Sequence, residues 1–389
     1  MSFKRAILLL TLLTITVFAY STHPVLVGAE QPEKYLPLLQ NKRVALLGNH
    51  TSRIGSQHLL DYLLEKQINV VAAFSPEHGF RGTADAGEQI KTGVDEKTGV
   101  PLLSLYDGKH KKPSASSVSK FDLLLVDIQD VGLRFYTYYI AMLKLMDVCA
   151  EYDKEVLILD RPNPNGHYVD GPILQRKFYS GVGALPIPIV HGMTLGELGL
   201  MINGEKWLSE ERTCKLQVIP CKNYTHQTKY ELPIPPSPNL PNMKAIYLYP
   251  SLCLFEGTIV SVGRGTAFPF QVFGHPKLTR APYSFIPRSK AGAKNPPHLN
   301  QRCFGYSLTT LNPQLARNKG IDLSYLIHCY NELKNEKKFF NALFNLLIGV
   351  DYVRPMISNG ASAEEIQNRW RDDVEFFKQQ RKPYLLYEE

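Results

Sequence analysis

Between about residue 40 and residue 165 the chain alternates short, wholly apolar runs with stretches whose apolar positions recur at helical spacing. Runs at 44–47, 70–74, 102–105, 123–126 and 156–159 read as strands. Leu59, Leu60, Leu63 and Leu64 recur with a helical period, and a longer helical pattern covers 135–152. Strands apolar along their whole length, separated by helices, indicate a parallel sheet covered on both faces. The pattern therefore predicts a doubly wound α/β arrangement. A proline cluster at 233–241 (P-I-P-P-S-P-N-L-P) is stiff and extended and fits an interdomain crossing. Beyond it come apolar runs at 245–248 and 254–262, a strand candidate at 306–311 and helical patterns at 322–335, 338–347 and 362–379. Thr194 with Glu197 and Ser362 with Glu365 have capping-box spacing and read as helix starts.

Nearly every apolar run of the first region ends in polar or charged residues. In an open parallel sheet the carboxyl ends of the strands share one edge, and ligands bind in the crevice there. Asn49, Glu77, His78, Asp127, Gln129, Asp130, Asp160 and Arg161 are thus expected to converge, although they are far apart in sequence. The competing reading makes them loop residues and helix caps, with Asp130 capping the helix that starts near residue 135.

The first twenty residues read as a cleaved secretory signal: Lys4 and Arg5 precede an apolar stretch at 6–18 too short to span a bilayer comfortably. No later segment is long and apolar enough for a span. The 389 residues carry 44 basic and 36 acidic side chains, a formal charge of +8, which removal of the signal reduces to about +6. With 44% hydrophobic and 21% charged residues, wholesale disorder is excluded. The mild positive charge suits a polyanionic setting such as a cell wall, and no dense basic stripe argues for nucleic acid. Of the six cysteines, Cys214 and Cys221 are the best local candidates for a disulfide, across a hairpin-like stretch.

There is no P-loop, no complete dinucleotide fingerprint, no H-E-x-x-H and no G-x-S-x-G. What remains at the strand ends is carboxylates, amides, aromatics and arginines, the equipment of a carbohydrate site. Glycoside hydrolysis needs a protonated carboxylic acid beside the leaving oxygen and usually a second carboxylate. Glu77, just past a buried strand, is the best acid candidate, because desolvation there would raise its pKa. Asp130, Asp127 and Glu256 remain open as the second carboxylate. Arg134 and Arg264 are candidate anion clamps, since a guanidinium fork matches a carboxylate. Tyr136 and Tyr138 could stack on a sugar face.

Several long segments carry a resemblance: S-P-E-H-G-F-R-G at 75–82, D-A-G-E at 85–88, D-I-Q-D-V-G-L-R-F-Y-T-Y at 127–138 and D-R-P-N-P-N-G at 160–166. D-G-P at 170–172, H-G-M-T-L-G-E at 191–197, F-E-G-T at 255–258 and G-R-G-T at 263–266 extend it. Together they resemble the NamZ-like exo-β-N-acetylmuramidases over residues 40–380. The resemblance implies a Rossmann-like doubly wound domain, here 30–235, followed by a smaller C-terminal α+β domain, 236–389, that completes the cleft. It implies release of N-acetylmuramic acid from the non-reducing ends of peptidoglycan fragments, without metal or nucleotide; the leader separately makes this an exported protein of the periplasm or cell exterior. The family's candidate catalytic glutamate, in its P-E-H-G motif, falls on Glu77; Asp130, from the reading of the strand ends, is the second catalytic candidate. Asn49, His78, Arg81, Asp127, Gln129, Arg134, Tyr136, Arg161, Asn163, Glu256 and Arg264 are the expected substrate contacts, and the substrate's lactyl carboxylate gives a reason for an arginine. The chain departs from the family pattern at Ile259, where Asn is common, and at G-H-P-K, 274–277, where G-A-P-W is frequent. The alternatives to an exo-glycosidase are a non-catalytic receptor for wall sugars and a hydrolase of wall amide or ester bonds.

Overall fold

The computed structural model describes residues 24–76, 79–81, 93–105, 112–336 and 338–389. The expected leader at 1–20, the D-A-G-E segment, and Glu77 and His78 lie outside the described residues.

The first half is built on a seven-stranded sheet. A helix α1 (Pro32–Leu39) precedes β1 (Val44–Gly48), and a small hairpin of β2 (Arg53–Ile54) and β3 (Gln57–His58) leads into α2 (Leu59–Glu65). Next come β4 (Val70–Phe74), β5 (Gly93–Val94), β6 (Pro101–Leu103), α3 (Ala115–Val118) and β7 (Leu123–Asp127). The half closes with α4 (Tyr138–Glu151), β8 (Glu155–Leu159), α5 (Leu195–Gly204) and β9 (Lys215–Ile219). The sheet order is β5-β6-β4-β1-β7-β8-β9, parallel throughout except for the β5 edge. Taken in chain order, the six parallel strands lie 3-2-1-4-5-6, so the winding reverses between β1 and β7, the place where open α/β sheets bind their ligands.

The alternation of side chains sorts the strands between two cores. Val44 and Leu46, Leu123 and Leu125, Leu157 and Leu159 face one cluster with α1 and α2. Ala45 and Leu47, Leu124 and Val126, Val156 and Ile158 face the other, which α4 and α5 cover. That second cluster runs on without interruption into the C-terminal half. The expected α/β class is therefore what the fold shows.

The C-terminal half contains α6 (Met243–Leu252) and a three-stranded antiparallel sheet, order β10-β12-β11, from Val272–His275, Cys303–Ser307 and Tyr283–Phe285 respectively. Helices α7 (Pro313–Asn318), α8 (Ser324–Leu333), α9 (Leu343–Ile348), α10 (Val353–Ser358), α11 (Ala363–Arg369) and α12 (Arg371–Arg381) complete it. The apolar run expected at 245–248 is helical, because Asn242 caps it through the Ala245 N–H. Both capping boxes form as their spacing predicts. The pattern at 362–379 is two helices joined at Trp370 rather than one.

The last residues return to the first half. Tyr387 donates to Asp160, the Leu386 N–H donates to Glu197, and the His226 N–H donates to the Glu388 carbonyl. All six cysteines are free and buried, so the Cys214–Cys221 disulfide does not form. Those two residues flank the ends of β9, and a five-residue strand holds its ends roughly 17 Å apart. Among the described residues no helix is long and apolar enough to cross a membrane.

Candidate active site

The loops after β1, β7 and β8 mesh at the point where the winding reverses. Register pairs Gly48 with Asp127, so the chain leaves both strands side by side. Asn49 Oδ1 accepts from the Thr51 N–H (2.9 Å) and hydroxyl (2.6 Å), and Thr51 Oγ1 accepts from the Gln129 N–H (3.1 Å). Gln129 Nε2 donates to the carbonyls of Asp130 and Pro162, both at 2.8 Å. Arg161 clasps the wholly buried Asp127 through Nε (2.5 Å) and Nη2 (3.0 Å), and Nη2 also donates to the Arg53 carbonyl. Burial works against the Arg161 charge, but Asp127 more than offsets it and holds the proton more firmly than usual.

Asp130 is the carboxyl of this cluster that keeps an oxygen unpaired. Its Oδ1 accepts from the Gly132 N–H at 2.7 Å, while Oδ2 is buried without a partner. Burial raises the carboxyl to about 7, against the opposing pull of the Gly132 and Val131 N–H groups. Gly132 has φ +75°, and a Cβ there would meet the Asn163 side chain at 2.2 Å, so only glycine allows the turn that aims its N–H at Asp130. Such a carboxyl holds its proton near neutrality and can also lose it, as a general acid or base must. Asn49 Nδ2 is a second buried group without a partner on this rim.

Beside the rim, between the two halves, lies a pocket whose enclosed part is about 130 Å³. Tyr136, Tyr138, Asn239, Tyr249, Glu256 and Arg264 supply its polar lining. Tyr136 and Tyr138 stand edge to face with centroids 4.5 Å apart, and both hydroxyls donate to the Pro236 carbonyl, at 2.9 and 3.0 Å. Burial raises the Tyr136 phenol well above its ordinary value, and the nearby Asp130 carboxylate adds to this. Arg264 Nε donates to Glu256 Oε1 at 2.6 Å, and its guanidinium lies over the Phe270 ring, 5.1 Å from the centroid.

Two family models match, "Exo-beta-N-acetylmuramidase NamZ, N-terminal" over residues 44–244 and its C-terminal counterpart over 247–387. The chain belongs to the NamZ family. A NamZ relative, the "Peptidoglycan beta-N-acetylmuramidase NamZ" of Bacillus subtilis (strain 168), is 35% identical over 372 residues, covering 91% of this chain and 89% of the relative. Two crystal structures of DUF1343 family proteins from Bacteroides fragilis NCTC 9343 share the fold. One (BF0379) is 63% identical with a TM-score of 0.89, covering 94% of this chain and 100% of that one. The other (BF0371) is 28% identical with a TM-score of 0.79, covering 94% and 99%.

Within this NamZ chain the expected site residues divide into three groups. Asn49, Asp127, Gln129, Asp130, Arg161 and Asn163 do meet on one rim, but most are bonded to each other. Asn163 spans Asn165 N–H and the Met193 carbonyl, and so shapes the turn. Asp130 caps no helix, since α4 begins at Tyr138 behind Thr137, which makes no side-chain cap bond. Tyr136, Glu256 and Arg264 belong to the interdomain pocket. Arg81 and Arg134 sit apart from both. Arg81 pairs with Asp95 (2.7 Å) and Asp61 (3.1 Å). Arg134 is fully buried and is not the expected anion clamp: its guanidinium donates to the carbonyls of Pro172, Ile187, Leu347 and Ile348, at 2.7–3.0 Å, tying the two halves together. Sequence reading missed the proline-rich crossing as a site element, although Ser237, Asn239 and Leu240 line the pocket. The polar residues set among its prolines were the available signal. It also missed Tyr249 and the apolar wall of α9, which no local pattern marks.

Proposed function

We propose that this chain is an exo-acting glycosidase that releases N-acetylmuramic acid from the non-reducing ends of peptidoglycan fragments. The observation that carries the reading is Asp130: a buried carboxyl held near neutral pH, with one oxygen unpartnered, on the loop after β7 of a NamZ chain. The relationship to the Bacillus protein supports the substrate class.

In this reading Glu77 acts as general acid and base and protonates the leaving oxygen as the glycosidic bond breaks. β4, which ends at Phe74 on the same sheet edge as β7, comes just before it in the sequence. Asp130 is the second carboxyl. Tyr136, Glu256 and Arg264 hold the terminal sugar between the N-terminal part, residues 30–235, and the C-terminal part, 236–389. No cofactor is required. Export to the periplasm or cell exterior would bring the protein to this polymer.

The test is release of chromophore from a chromogenic β-N-acetylmuramide. The protein should cleave it, and Glu77→Gln and Asp130→Asn should each lower kcat by about 10²-fold or more. No release, or undiminished release by Glu77→Gln, would reject the proposal.

A further inference from the structure

A muramic acid differs from glucosamine by one 3-O-lactyl arm, which ends in a carboxylate. A site that discriminates between them needs a cation placed for that arm. Arg134 is spent on four backbone carbonyls, and Arg161 and Arg81 are spent on buried or half-buried aspartates. Among the described residues Arg264 is the one cationic side chain that lines the interdomain pocket.

Its fork is fixed before any ligand arrives. Glu256 Oε1 takes the Nε–H, and Phe270 lies under the guanidinium plane. Glu256 is itself steadied, because the Cys253 thiol donates to its other oxygen at 3.5 Å. Nη1 and Nη2 have no hydrogen-bond partner among the described residues. An arginine held along one edge and one face presents its remaining edge as a two-toothed donor, the geometry that matches a carboxylate. Less rotamer entropy is then lost on binding than by a free surface arginine. An enclosed volume near 130 Å³ is of the size that holds one small ligand group.

We infer that Arg264 receives the lactyl carboxylate of the substrate through its two Nη groups and so sets the preference for muramic acid over glucosamine. This rests on the proposed function and names the residue that makes the site selective. Glu256 is then the positioning residue for Arg264 rather than the second carboxyl of the reaction.

Three chromogenic substrates test it: the β-N-acetylmuramide, its lactyl methyl ester and the β-N-acetylglucosaminide. The native protein should cleave the free acid about 10²-fold better, in kcat/KM, than the ester, which lacks the charge but keeps the arm. Arg264→Met should lower kcat/KM for the acid far more than for the ester and so remove most of the difference between them, with Arg264→Lys recovering part of it. Equal cleavage of acid and ester by the native protein would overturn the inference, whatever the variants' folding. So would an equal loss on both substrates in a folded Arg264→Met. Calorimetry with free N-acetylmuramic acid and its methyl ester gives the same comparison without turnover. If no substrate is cleaved, the glycosidase reading fails, while equal binding of acid and ester sinks the assignment of Arg264.

Discussion

Replacing Asp130 with Asn should make the protein's stability less dependent on pH, in a direction that the burial of this carboxyl dictates. In the unfolded chain the group titrates near its ordinary value of 3.8, and in the fold burial moves it up to about 7. The folded state therefore binds the proton more tightly, so this group's contribution is most favourable at low pH. Stability is lost as pH rises through the window between 3.8 and about 7, and the loss is complete above it. From pH 5 to pH 8 the loss attributable to this carboxyl is about 3 kcal/mol, at roughly 1.4 kcal/mol for each pH unit in which the two states differ by a proton. Asparagine keeps the acceptor for the Gly132 N–H and carries no charge. The variant should thus gain about 3 kcal/mol over the native protein on going from pH 5 to pH 8. Other buried carboxyls, such as Asp160 at about 6, are common to both proteins and cancel in the difference. Urea unfolding followed by tryptophan fluorescence at a series of pH values measures it. Parallel stability curves for the two proteins would refute the claim that Asp130 is held protonated by burial, and with it the main support for its role in proton transfer.

Other perturbations have equally definite outcomes. Arg134→Met takes a donor from four buried carbonyls across the two halves, of which only that of Ile187 keeps another among the described residues, the Leu174 N–H, and thermal unfolding should show a loss of about 3–5 kcal/mol. Arg161→Ala strands the fully buried Asp127 carboxylate and should cost a similar amount, about 3–5 kcal/mol, measurable by urea unfolding. Tyr387→Phe removes the hydroxyl that donates to Asp160 at 2.6 Å and accepts from the Cys221 N–H, and should lower stability by about 1–3 kcal/mol. Thiol titration should count six reactive groups in denaturant and almost none in the native protein, because all six cysteines are free and buried.

Much of the first half could be read along the chain because its information is local. A run such as 123–126 is apolar at every position, which only a strand covered on both faces requires, and β7 is buried at all five of its residues. Thr194 and Glu197 fold into a capping box whatever surrounds them, since the bonds close within three residues. Topology then brought Asn49, Asp127, Gln129 and Arg161 together as expected, because parallel strands have no choice but to end on one edge. Which of these side chains are open to a ligand was not legible. Asp127 and Arg161 neutralise each other, and Asp130 alone keeps a carboxyl oxygen unspent.

The amino-acid sequence by itself determined the alternation of strands and helices, the helix starts, the family and the edge of the sheet where chemistry collects. These depend on periodicity and on contacts a few residues apart. Tertiary structure alone decided the fates of the two candidate clamps: Arg134 is tied to carbonyls as far as Ile348, whereas Arg264 lines the pocket held by Glu256. It alone turned the proline-rich crossing into a pocket wall and brought Tyr387 back to Asp160. The physical reason is that a buried polar group must find partners wherever docking places them, and no local pattern records a partner two hundred residues away.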